Sequence, residues 1–262
     1  MRRLPFTLAL LASGALLGAC GRSNPTAVST VTVQASTSGP HTGTQQTPPA
    51  APGGGSSAKT QALAFARAVN LTSADVPGFK SSTEHHSETG TEKRRERELQ
   101  SCAGTGLEAG ASIAQESSPA FKLERGILDL SVNSEVSVAR TPALAAKELA
   151  TVRSSHFRAC LTRYLDLLFG EQDRPGTTVG PISLVQGTPP APGASGSFGW
   201  RITATITTRG VKLPFYQDML GFVYGSAEIS LVSSGALRPF PAAVEQQLFS
   251  LLLERAKAHG KQ

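Results

Sequence analysis

Three cysteines and one histidine-rich run hold the side chains best suited to chemistry in this 262-residue chain. A thiol becomes a nucleophile, a metal ligand or half of a crosslink according to its surroundings. Cys20 follows Leu17-Gly18-Ala19, whereas Cys102 and Cys160 stand far apart in the second half of the chain. His85-His86-Ser87-Glu88 is the densest set of metal-ligand types. Adjacent side chains on an extended segment point to opposite sides, and His41, His156 and His259 offer no obvious third ligand. The run therefore reads as a polar surface loop, and no metal is assigned. Ser56-x-x-Lys59 matches the spacing of a Ser–Lys acyl-transfer pair, but it closes a low-complexity stretch that would not hold nucleophile and base in register. There is no Gly-x-Ser-x-Gly elbow, Walker loop or His-Glu-x-x-His. No catalytic residue and no cofactor is assigned.

The surroundings of Cys20 are more specific. Met1-Arg2-Arg3 is a short positive start, and Leu4 to Leu17 is an apolar run too short for a comfortable membrane span. Small residues close it, as in a secretory signal peptide. Leu17-Gly18-Ala19-Cys20 resembles the lipobox of bacterial lipoproteins. That resemblance implies a diacylglyceryl group on the Cys20 thiol, cleavage just before it, and acylation of the new amino terminus. Each buried methylene contributes about 0.8 kcal/mol, so one acyl chain binds marginally and two hold stably. The expectation is a protein anchored by lipid on Cys20 at the extracytoplasmic face of a cell membrane. Nothing after residue 20 is apolar for long enough to span a bilayer.

Removing residues 1–19 takes two arginines and no acid, which leaves 23 basic against 19 acidic residues, a formal charge of +4. That modest balance suits an anionic membrane or an envelope polymer and does not make a nucleic-acid binder. With Cys20 committed to lipid, Cys102 and Cys160 remain, and in an oxidising compartment an even remainder is most simply a disulfide. The rival is two buried thiols. A crosslink closing about 57 residues would contribute roughly 4 kcal/mol in the chain-entropy description.

Around these residues the chain divides into three. Residues 1–19 are the signal peptide, and 20–58 form a tether rich in Ser, Thr, Pro, Gly and Ala with no apolar periodicity. As a coil the tether would span about 30–35 Å. Residues 59–262 suffice for one domain with a substantial core. Helical spacing is expected over 59–69, followed by a turn at Asp75-Val76-Pro77-Gly78, and the mixed-charge run Thr91–Leu99 reads as a solvated helix. Over 128–138, Leu128, Leu130, Val132, Val136 and Val138 alternate with polar residues, predicting a strand with one buried and one wet face. Thr141 and Pro142 open a helix over 142–152. A second helix carries the stripe Phe157, Cys160, Leu161, Tyr164, Leu165 and Leu168 and ends at Gly170. Residues 171–197 read as loop with a short strand at 182–185. A meander follows, with strands near 200–207, 211–223 and 226–232, the last broken by Ser233-Ser234-Gly235. A final amphipathic helix starts near Pro241. Trp200, Tyr216, Phe222 and Tyr224 fall on or near the meander, as core or as the lining of a groove. The fold class is α+β, an antiparallel sheet covered on one face by amphipathic helices.

Asn70-Leu71-Thr72-Ser73-Ala74-Asp75-Val76-Pro77-Gly78-Phe79, Ser134–Val138, Gly221-Phe222-Val223-Tyr224-Gly225-Ser226-Ala227-Glu228 and the Cys102 and Cys160 pair resemble, in layout, the PknH-type extracytoplasmic sensor domain of actinobacterial lipoproteins and receptor serine/threonine kinases. The resemblance spans most of 59–262. It implies an α+β fold with a ligand-accepting groove and no intrinsic catalysis. Those sensor domains carry two disulfides, whereas this domain can form one. The expected function is a lipid-anchored, non-catalytic module that binds a small ligand, or a protein or polymer of the envelope. The alternatives are an envelope hydrolase or transferase with an unfamiliar site, and a scaffold for other envelope components.

Overall fold

The computed structural model describes residues 54–82, 90–104, 112–125, 128–170 and 176–260. Cys20 with its signal segment, residues 21–53 of the tether, and the His85-His86 run lie outside the described residues. Within them are five helices and a nine-stranded antiparallel sheet. In chain order these are α1 (Gly54–Val69), β1 (Lys80–Ser82), α2 (Gly90–Ala103), β2 (Ser112–Ser117), β3 (Ala120–Arg125) and β4 (Leu128–Ala139). Next come α3 (Pro142–Val152), α4 (Ser155–Gly170), β5 (Thr177–Val179), β6 (Ser183–Gly187), β7 (Gly196–Thr208), β8 (Val211–Tyr224), β9 (Ala227–Ala236) and α5 (Ala242–His259).

Four long strands in the order β4-β9-β8-β7 make the centre of the sheet, and each outer edge is lined by two short strands in tandem. Along β4 these are β3 and β2, with Phe121 opposite Val132 and Ser117 opposite Glu135. Across Ser118-Pro119 the register slips by one residue. Proline has no N–H to give the ladder, and the extra residue is taken up as a bulge. Ser118 restores the bonding, since Ser134 N donates to its Oγ at 2.9 Å. Along β7 the tandem pair is β6 and β5.

The α+β class and the antiparallel sheet are as the sequence indicates, and helices pack on both faces. On one face Val132, Val136, Ile229, Leu231 and Phe222 form a core with α1 and α5, where the Phe222 and Phe249 rings meet edge to face at 5.3 Å. Phe215 lies seven residues from Phe222 on the unbroken strand β8, so it points the other way. It meets Phe169 of α4 at 6.0 Å, and Trp200, on the same face, meets Phe157 of α4 at 5.9 Å. The face of β4 expected to be wet is therefore not wet in its middle. Ser131 is 3 % exposed and Asn133 8 %.

Local capping agrees with the sequence at α3, and a serine caps α4 in the same way. Thr141 Oγ1 accepts from Leu144 N at 3.3 Å with Pro142 in the first turn, and Ser154 Oγ accepts from Phe157 N at 3.0 Å. Elsewhere the structure departs from expectation. The first helix begins at Gly54, ahead of Lys59, and takes in both Ser56 and Lys59. Strand β9 runs through Ser233-Ser234-Gly235 to Ala236. Gly235 serves there not as a breaker but as a place of close approach, since a Cβ would collide with the carbonyl of Arg238 as the chain folds back.

Candidate functional site

Helix α2 has a low apolar content, and its inward face is a single row: Arg95, Leu99 and Ala103, four residues apart and all buried. Helix α4 has two working faces. Phe157, Leu161, Leu165 and Leu168 are buried, with Phe157 against the Trp200 ring on the sheet. Cys160, Arg163, Tyr164 and Leu167 look instead toward α2. A disulfide joins Cys102 at the end of α2 to Cys160, with 5.8 Å between Cα atoms. The thiol alternative is thus set aside for this state of the molecule, and the two helices are fastened at one end.

Between them opens a cleft of about 640 Å³. Among the described residues, Arg94, Arg95, Arg97 and Arg163 line it together with the acid Glu98, and the disulfide closes it. Arg94 and Glu98 form an exposed i,i+4 pair at 3.8 Å, a contact of small energetic weight. Leu99, Tyr164 and Leu167 add apolar wall, and Leu167 is 45 % exposed, one of few large hydrophobic side chains so open among the described residues. A guanidinium-rich cleft with an apolar wall suits a ligand carrying a carboxylate, phosphate or sulfate on a hydrophobic body.

His156 belongs to the same corner. It lies in the first turn of α4, its Nε2 is 2.6 Å from the Cys102 carbonyl oxygen and 3.8 Å from Cys160 Sγ. Its relation to Cys160, four residues on, was available as a helical spacing. Its nearness to Cys102 was not.

The segment Asn70–Phe79 is a structural knot. Ser134 Oγ donates to Asn70 Oδ1 at 2.8 Å and accepts from Leu71 N at 2.9 Å, while Asn70 Nδ2 donates to the Glu116 carbonyl at 2.8 Å. Asp75 accepts from Thr72 N and from Arg255 of α5. Burial alone would raise the Asp75 pKa, but the hydrogen bonds from Arg255 and Thr72 outweigh it and hold the carboxyl below its ordinary value. Gly78 takes φ +85°, which a turn of this kind reserves for glycine, and Phe79 then stacks toward Phe240 at 5.8 Å. Trp200 and Phe222 are core, at 1 % and 0 % exposure.

Three carboxyl groups whose pKa values are raised, Glu148, Glu228 and Glu245, are buried in the fold. Glu228 of β9 is buried against Glu148 of α3; burial, and then the charges of Glu148 and Glu135, push it up to about 8. Its Oε2 has no hydrogen-bond partner among the described residues. On the opposite face Asp218 takes both Nε and Nη2 of Arg201, at 2.7 and 2.9 Å, and Ser233 Oγ bonds Glu245. These groups hold the sheet and its helices together and lie outside the cleft lining.

No family model and no curated protein matches the chain. Among solved structures it is similar to PA94, a protein of unknown function from Pseudomonas aeruginosa, at 15 % identity and a TM-score of 0.21, over 57 % of this chain and 80 % of that one. No helix among the described residues is long and apolar enough to cross a membrane.

Proposed function

We propose that this chain is a non-catalytic binding module, held by lipid on Cys20 at the extracytoplasmic face of a cell membrane, whose α2–α4 cleft takes an anionic ligand with an apolar body. The anchor rests on the lipobox-like Leu17-Gly18-Ala19-Cys20 behind a signal-type segment. The ligand class rests on one observation, four arginines beside Tyr164 and the exposed Leu167 in a cleft closed by a disulfide. The resemblance to PknH-type sensor domains supports a binding role without chemistry. An anionic amphiphile, free or within an envelope polymer, is the ligand chemistry that this lining recognises.

Calorimetry with three ten-carbon probes separates the contributions of charge and chain. Decyl phosphate is expected to bind, while decanol and decyltrimethylammonium bind far more weakly. Arg163→Ala should weaken decyl phosphate by roughly tenfold, or ~1.4 kcal/mol. Equal binding of the anionic and cationic probes, or an Arg163→Ala variant that binds as the parent does, would falsify the ligand class.

A further inference from the structure

Cys102, Cys160 and His156 bring three soft or borderline metal-ligand atoms within 4.8 Å of one another, two from α4 and one from the end of α2. We propose that the dithiol state of this protein binds a thiophilic cation such as Zn²⁺ through these three residues, so that metal and disulfide are mutually exclusive clamps between α2 and α4. The three residues form this site whatever the cleft beside them binds.

One ligand distance already fits a tetrahedral site, and the two sulfurs are free to part once their bond is reduced. Bonds of about 2.3 Å to sulfur and 2.0 Å to nitrogen place neighbouring ligand atoms roughly 3.3 to 3.8 Å apart. His156 Nε2 already stands 3.8 Å from Cys160 Sγ. The two share a helix at i,i+4, so α4 fixes their relation without help from any loop. In the disulfide state Nε2 faces the Cys102 carbonyl oxygen at 2.6 Å. To take a metal, the proton must sit on Nδ1, which this exposed ring allows. Three protein ligands leave a fourth position for water.

The step from one clamp to the other balances with a dithiol reductant. The dithiol gives two electrons and two protons, the Cys102–Cys160 bond breaks to two thiols, and the reductant becomes its own cyclic disulfide. A divalent cation then releases both thiol protons to solvent and leaves a site of two thiolates and one neutral imidazole.

Cobalt(II) titration of the full chain in detergent tests this directly. The chain is reduced with a dithiol and freed of reductant without air. It is then expected to take up one equivalent of Co²⁺, with thiolate-to-cobalt charge-transfer absorption that Zn²⁺ abolishes. The disulfide form, which keeps every other histidine, should show no such band. Cys102→Ser should lose it, and His156→Ala should bind at least about tenfold more weakly. The near-ultraviolet circular dichroism of the buried Trp200 reports that the fold persists. A reduced, folded chain without the band overturns the proposal, as does a His156→Ala variant with unchanged affinity and spectrum. A reduced chain that loses the Trp200 signal and does not regain it with Co²⁺ overturns it as well.

Discussion

Arg255 on α5 grips Asp75 with two hydrogen bonds, Nη2 to Oδ1 at 2.7 Å and Nη1 to Oδ2 at 2.9 Å, while the same Nη1 donates to the Asn70 carbonyl at 2.9 Å. One guanidinium thereby ties the last helix to the turn that follows the first. The contact bridges residues 180 positions apart, and both side chains are largely buried. Arg255→Ala should cost on the order of 2 to 4 kcal/mol, because it leaves the largely buried Asp75 carboxylate without its charged partner and the Asn70 carbonyl without the guanidinium donor. Asp75→Asn should cost less, and the double variant should fall short of the sum of the two. Urea denaturation of the four chains measures all three statements.

The same pair sets a pH dependence at the acid end. Asp75 has a folded pKa below its ordinary value of 3.8, so its contribution is complete above that value and is lost as pH falls through the folded pKa. Arg255→Ala should flatten the acid limb of a plot of stability against pH.

Glu228 acts in the opposite direction. Its folded pKa is raised from 4.5 to about 8, so the folded state holds a proton that the unfolded state has already released between those values. Stability should therefore decline as pH rises from about 4.5 through 8. Glu228→Gln keeps the shape without the ionisable group. It should remove most of that decline and stabilise the protein above pH 8 by on the order of 1 to 3 kcal/mol. Melting temperatures across this range decide the matter, and a Glu228→Gln chain with the parent's slope would contradict the assignment.

Helix α2 depends on its crosslink more than any other helix does, since beyond Leu99 and Ala103 its described face is polar or charged. Cys102→Ala is expected to lower global stability by about 4 kcal/mol if α2 stays docked in the native state, and by less if α2 detaches from it. Hydrogen exchange separates the two, with protection lost over 90–103 while β4, β8 and β9 keep theirs. Binding of decyl phosphate should fall in the same variant, because one wall of the cleft is no longer held.

Much of this organisation is legible in the residues. Thr141-Pro142 marks a helix start because both the cap and the fixed φ of proline are local effects. The apolar stripe of α4 and the alternation on β4 fix their inward faces for the same reason. Short edge strands are harder to read. Lys80–Ser82 and Thr177–Val179 have three residues each, and their pairing is decided by a neighbour distant in sequence. The burial of Ser131 and Asn133 shows a further limit, since a polar residue on a strand reports its chemistry and not what covers it. The cleft was legible only in part. The arginines of α2 read as a solvated face, and nothing in their spacing told that Arg163 and Leu167 stand across from them.

The lipid on Cys20 is the claim on which location and function both depend. The intact mass of the chain, recovered from the membranes of a bacterium that processes lipoproteins, tests it most directly. The expected product begins at Cys20, lacks residues 1–19, and carries the added mass of a diacylglyceryl group with or without a further acyl chain. A chain that retains residues 1–19, or one that begins at Cys20 with a free thiol, would contradict the anchored module proposed for this protein.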